Sequence, residues 1–157
     1  MASSPRVGDA APDVDLPGWH DGQERRFRLS DQRGTPVVLA FYPGDDTPVC
    51  TRQLCSYSDG FDALTATGAQ VWGISPQDVA SHRRFAEKRG LRLPLLADVD
   101  KTAIAAYGVG GLLGVKRSVF VVDAAGLVAW SHVSTVGLTY RDTDELTAVL
   151  TRLEPAA

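Results

Sequence analysis

Apolar residues run without interruption through Pro36-Val-Val-Leu-Ala-Phe-Tyr42 and stop at Pro43-Gly44. A strand that is apolar on both faces must be covered on both, so this run predicts a central strand of the parallel kind. The period then changes. From Pro48 to about Thr67, the residues Cys50, Leu54, Tyr57, Phe61 and Leu64 recur at spacings of 4, 3, 4 and 3, the stripe of one amphipathic helix. Cys50 lies on that stripe and Cys55 lies off it. Further on, Gln70 to Ser75 reads as a strand, and Ser75-Pro76 as the cap and first residue of a helix ending at Gly90. Leu93 to Ala97 is a shorter strand, and Asp98 to Tyr107 a short helix stopped by Gly108. Arg117–Asp123 and Leu127–Val133 flank Ala-Ala-Gly as a hairpin. A last helix covers about 142–153, with Leu146, Val149, Leu150 and Leu153 inward, and residues 154–157 are expected to fray.

Ahead of the central strand, residues 11–18 and 25–29 alternate like short half-buried strands around the turn-rich Gly18-Trp-His-Asp-Gly22. A brief helical turn over Leu29 to Gly34 follows. Strand and helix alternate, then a hairpin and a closing helix. The expected fold class is α/β, a mixed sheet with helices on both faces, in a single domain over residues 1–157.

The start of the first helix carries the chemistry. Thr47-Pro48 reads as N-cap then N1, with the threonine hydroxyl expected to accept a free backbone N–H. Cys50 then falls at about N3, where unpaired N–H groups and the helix dipole favour an anion; a thiolate nucleophile is expected. Cysteines five apart on a regular helix are rotated by about 140° and their Cα atoms stand about 8.5 Å apart. A disulfide needs less than about 7 Å and facing Cβ vectors. Cys50 and Cys55 therefore cannot bond while this helix is wound; if they pair, its first turns must open.

Composition narrows the classes of function. Sixteen Lys and Arg against nineteen Asp and Glu leave a net charge of −3, no footprint for nucleic acid or an anionic membrane. No stretch approaches the length of a membrane helix, and the N-terminal residues lack the apolar core of a signal peptide. A cytoplasmic location is expected, where a cysteine pair is catalytic or metal-binding rather than a structural disulfide. The metal alternative is weak: there is no second cysteine pair, and His20, His82 and His132 lie in unrelated segments. His82 and His132 read as surface or strand-face residues, and Trp72 and Trp130 as core. No metal or cofactor is expected.

Pro43-x-x-x-Thr47-x-x-Cys50 resembles the active-site signature of peroxiredoxins, and Cys50-Thr-Arg-Gln-Leu-Cys55 resembles their atypical two-cysteine branch, the bacterioferritin comigratory protein or peroxiredoxin Q group. The likeness extends over Gly8–Asp13, Leu29–Asp31, Val37–Tyr42, Leu95–Asp98 and Arg117–Asp123. It implies a thioredoxin-like fold and a thiol peroxidase acting on hydrogen peroxide and organic hydroperoxides. Cys50 would be the peroxidatic thiolate and Cys55 the resolving thiol that forms an intramolecular disulfide with it. Thr47 would hydrogen-bond thiolate and peroxide, Arg117 would stabilise both, and Pro43 would shield the sulfur. Thioredoxin or a similar dithiol would be the reductant, and a monomer is expected, with a dimer as the alternative. Two residues depart from the group's habit: Val49 stands where glycine is common, and Gly44 where a basic residue is frequent. With Gly44 there, Asp45 and Asp46 are expected to oppose ionisation of Cys50. Competing assignments are a disulfide reductase, against which Cys-x₄-Cys argues, and a peroxide sensor without turnover.

Overall fold

The computed structural model describes residues 4–45, 47–111, 114–134 and 143–153. The run after Pro36 forms β3 (Val37–Phe41), every residue of it buried. It pairs in parallel with β4 (Gln70–Ser75) and antiparallel with β6 (Ser118–Val122). Outside β4 lie β5 (Leu95–Ala97), parallel to it, then β1 (Asp15–His20) and β2 (Gln23–Arg28), both antiparallel; outside β6 lies β7 (Val128–Val133). The result is one mixed seven-stranded sheet of order β2-β1-β5-β4-β3-β6-β7.

Side chains alternate across a strand, so β3 and β6 each feed two cores. Val37, Leu39, Phe41, Phe120 and Val122 join Trp72, Tyr107 and Leu29 on one face, which α4 (Thr102–Ala106) covers. Val38, Ala40, Val119 and Val121 join the other, under α1 (Pro48–Asp59), α2 (Phe61–Thr65), α3 (Val79–Arg89) and α5 (Thr143–Thr151). Cys50, Leu54, Tyr57 and Leu64 keep the stripe that the sequence predicts on this second core.

Several expected boundaries shift: β1 runs on through Gly18 to His20, so the first turn is Asp21-Gly22, and four others move for a local reason. The helix expected to run to Thr67 breaks at Gly60, a poor helix former whose backbone leaves helical geometry there. Ser75 does not cap a helix. It is the buried last residue of β4, its hydroxyl receives the Gln77 N–H, and α3 begins after Asp78, whose carboxylate accepts the Ser81 N–H at 2.8 Å. β5 begins at Leu95 because Pro94 has no N–H to add to the ladder. α4 begins at Thr102, yet Asp98 still reaches it: its carboxylate accepts the N–H groups of Ala103 and Ile104 and the Thr102 hydroxyl. The final helix starts at Thr143; Asp142 and residues 154–157 lie outside the described residues, as do Leu112 and Leu113 of the segment Gly108-Val-Gly-Gly-Leu-Leu-Gly114, whose sequence reads as a loop.

Candidate active site

β3 delivers the chain to the loop of residues 43–47, and α1 starts from it. Thr47 stands at the N-cap with extended backbone, Pro48 follows at N1, and the Thr47 carbonyl receives the Thr51 N–H at 2.8 Å. The hydroxyl does not cap the helix as expected. It donates to the Gly44 carbonyl at 3.2 Å, closing the loop on itself rather than satisfying a helical N–H. Thr47 and Pro43 are exposed; Cys50, one turn into α1, has no exposed surface.

Arg117 immediately precedes β6, and the alternation that buries Val119 and Val121 sends it to the same face. Its Nη2 donates to Cys50 Sγ at 3.0 Å, and Arg117 is only 3% exposed. Its Nη1 donates to Gln53 Oε1, and Gln53 Nε2 donates to the Tyr57 hydroxyl at 3.2 Å. Cys50, Gln53 and Tyr57 are spaced three and four apart, so one face of α1 holds both the sulfur and the group that orients the guanidinium. A buried charge is tolerated only when hydrogen bonds fix it, and Gln53 supplies one. Gln53 was not singled out from the sequence; its position three residues after Cys50 on the apolar stripe was the available signal.

Cys55, as the helical rotation requires, lies off this face and is half-buried. Both thiols are free. Burial pushes the Cys55 thiol above its ordinary 9.0, with Arg89 opposing and Asp59 adding to the effect.

His82 is not a surface residue: it is fully buried in α3, and so is Tyr42 after β3. Asp45 does not face the thiol with an idle charge either. Its carboxylate accepts from the Tyr42 hydroxyl at 2.6 Å, from Ser81 Oγ at 2.7 Å and from His82 Nδ1 at 2.8 Å. Burial, and then the Asp45 charge, push the Tyr42 phenol well above its usual range, so it remains a donor. Asp46 lies outside the described residues. Among the described residues no three His, Cys, Asp or Glu side chains gather to hold a metal ion.

Residues 7–131 match the AhpC/TSA family. Peroxiredoxin Bcp of Bacillus subtilis is 32% identical over 155 residues, covering 88% of this chain and 97% of that protein. The chloroplastic peroxiredoxin Q of Oryza sativa subsp. japonica is 39% identical over 130 residues, covering 80% of this chain and 58% of the rice protein. Among solved structures, peroxidoxin BcpB from Mycobacterium tuberculosis superposes with a TM-score of 0.80 at 34% identity, over 96% of this chain and 99% of that one. Enterococcus faecalis AhpC superposes at 0.85 with 24% identity over 93% of this chain and 90% of that one, a likeness of fold.

Proposed function

The chain belongs to the AhpC/TSA family as a peroxiredoxin, a thiol peroxidase, and from that premise we propose how its own residues run the reaction. Cys50 is the peroxidatic residue. Its thiolate attacks the terminal oxygen of a hydroperoxide, the O–O bond breaks, and the leaving oxygen takes a proton to depart as water or alcohol, leaving a sulfenic acid on Cys50. The single observation that carries this is the Arg117 guanidinium 3.0 Å from Cys50 Sγ, both residues buried. There its fixed positive charge faces the attacking sulfur and the charge that develops on the departing oxygen. Thr47, exposed at the start of α1, exchanges its hydroxyl's bond to the Gly44 carbonyl for one to the peroxide, and Pro43 in the same loop shields the sulfur.

Cys55 resolves the intermediate. Its sulfur displaces hydroxide from the sulfenic sulfur, water is released, and a Cys50–Cys55 disulfide forms after the first turns of α1 unwind. A dithiol reductant of the thioredoxin type, in a reducing compartment such as the cytoplasm, then reopens the disulfide by exchange. Hydrogen peroxide and organic hydroperoxides both fit an attack that needs only the O–O bond.

Mass spectrometry after one equivalent of hydrogen peroxide tests the cycle. The expected product is an intramolecular Cys50–Cys55 disulfide, and Cys55→Ser accumulates sulfenic and sulfinic acid on Cys50. A disulfide-linked dimer would remove Cys55 from the resolving role. A Cys50 that reacts no faster than free cysteine in stopped-flow would overturn the peroxidase itself.

A further inference from the structure

A second buried polar cluster lies beside the buried thiol, and the chemistry above does not use it. His82 Nε2 faces the Leu96 carbonyl at 2.9 Å and Nδ1 faces the Asp45 carboxylate at 2.8 Å. Both ring nitrogens therefore have a polar partner, and the imidazole is fixed at both ends. The two side chains are 0% and 4% exposed. Asp45 sits five residues before Cys50, in the loop from which α1 starts, and among the described residues its bonds lead away from that loop. Its carboxylate is held by Tyr42, Ser81 and His82, and its backbone N–H donates to the Gln77 side chain. Behind the cysteines, Ser58 is held by the other end of α3: its hydroxyl donates to the Gly90 carbonyl at 3.4 Å and receives the Arg92 N–H at 2.9 Å. α3 thus grips the cysteine segment both ahead of Cys50 and behind Cys55.

We propose that the Asp45–His82 pair is a positioning device for the oxidation step. It fixes the loop that presents Thr47 and Cys50 in the wound form, and with Ser58 it confines the unwinding needed for resolution to the residues between these two anchors. His82 touches neither sulfur nor peroxide; it acts through Asp45. A buried, fully hydrogen-bonded polar network suits this task, because it specifies one geometry more sharply than apolar packing does. The inference rests on the peroxidase function proposed above.

The test separates the two steps of the cycle in stopped-flow for the full-length protein and three variants. His82→Ala is expected to slow oxidation of Cys50 by about 10- to 100-fold, since misplacing a reacting group by an ångström has that effect. Formation of the Cys50–Cys55 disulfide, which needs the loop released, is expected to proceed at least as fast as before. Leu146→Ala, a cavity in α5 on the same core, is expected to lower the melting temperature and leave both steps unchanged in the folded protein. Equal slowing of both steps in His82→Ala, or oxidation slowed as much by Leu146→Ala, would overturn the positioning role. Should His82→Ala fail to fold, Ser81→Ala removes only the 2.7 Å bond to Asp45, and an unchanged oxidation rate in it has the same consequence. A parent protein that reacts no faster than free cysteine would take the peroxidase and the positioning role down together, whereas a fast parent with an equally fast His82→Ala overturns the positioning role alone.

Discussion

The two faces of the sheet are built from the same strands and do different work. The first is an aromatic core: Phe41, Tyr107 and Phe120 stack at centroid separations of 5.0 to 5.9 Å, and Phe27 meets Trp72 at 5.5 Å. Its buried carboxylate, Asp98, serves only to cap α4. The second face is equally dry but carries polar networks, among them Cys50–Arg117–Gln53–Tyr57 and Tyr42–Asp45–His82. Burial on the first face supplies stability and little else. On the second it strengthens every electrostatic contact around the sulfur proposed to react, at the risk of desolvated charges that each need a partner. The difference teaches where polar groups enter: β3 offers apolar side chains to both faces, and on the second face α1, α3, the loop after β3 and the residue ahead of β6 bring polar groups inside.

The sharpest way to break the comparison is Arg117→Met, which keeps bulk and removes the charge. The second-order rate constant for Cys50 oxidation is expected to fall by about 10²- to 10³-fold, the size of effect seen when one preorganised donor is lost. A fall of less than tenfold in stopped-flow would mean that the buried guanidinium is structural. The mirror experiment is Phe120→Ala on the first face, expected to cost about 3–5 kcal/mol. For a domain of this size that lowers the melting temperature by roughly 6–20 °C. Calorimetry checks the loss, and the oxidation rate of the folded variant is expected to stay at the parent value; a slowed rate would show that the faces are coupled.

The smallest effect concerns Cys55, at the margin of the second face. Burial holds its thiol above 9.0, so below that pH it is mostly protonated and only the thiolate attacks. The rate of disulfide formation after sulfenic acid should therefore rise by about tenfold per pH unit between neutrality and 9. A flat profile in rapid-quench measurements would show that unwinding of α1, not attack by sulfur, limits resolution.

Much of this site was legible because it is local. A helix start needs its N-cap and proline within a few residues, and a stripe needs spacings of three and four, so Thr47, Cys50 and the off-stripe place of Cys55 followed from the chain alone. Arg117 could be named only through the likeness to a family, since nothing in its own neighbours points to a sulfur 67 residues away. His82 is expected at the surface because histidine is polar, although its spacing of three and four from Phe85 and Ala86 puts it on the buried stripe of α3. The Thr47 hydroxyl was misassigned because a cap and a loop closure use the same residue, and the Gly44 carbonyl lies closer to hand.

The order of elements, the two-faced burial of β3 and the separation of the two cysteines by helical rotation are properties of periodicity, and the sequence by itself determined them. The pairing of Arg117 with Cys50, and the engagement of Asp45 by Tyr42, Ser81 and His82, were decided by tertiary structure. The physical reason is that hydrophobic patterning is non-directional and additive along the chain. A buried polar group, by contrast, takes its role from whichever single donor or acceptor the fold brings within about 3 Å of it.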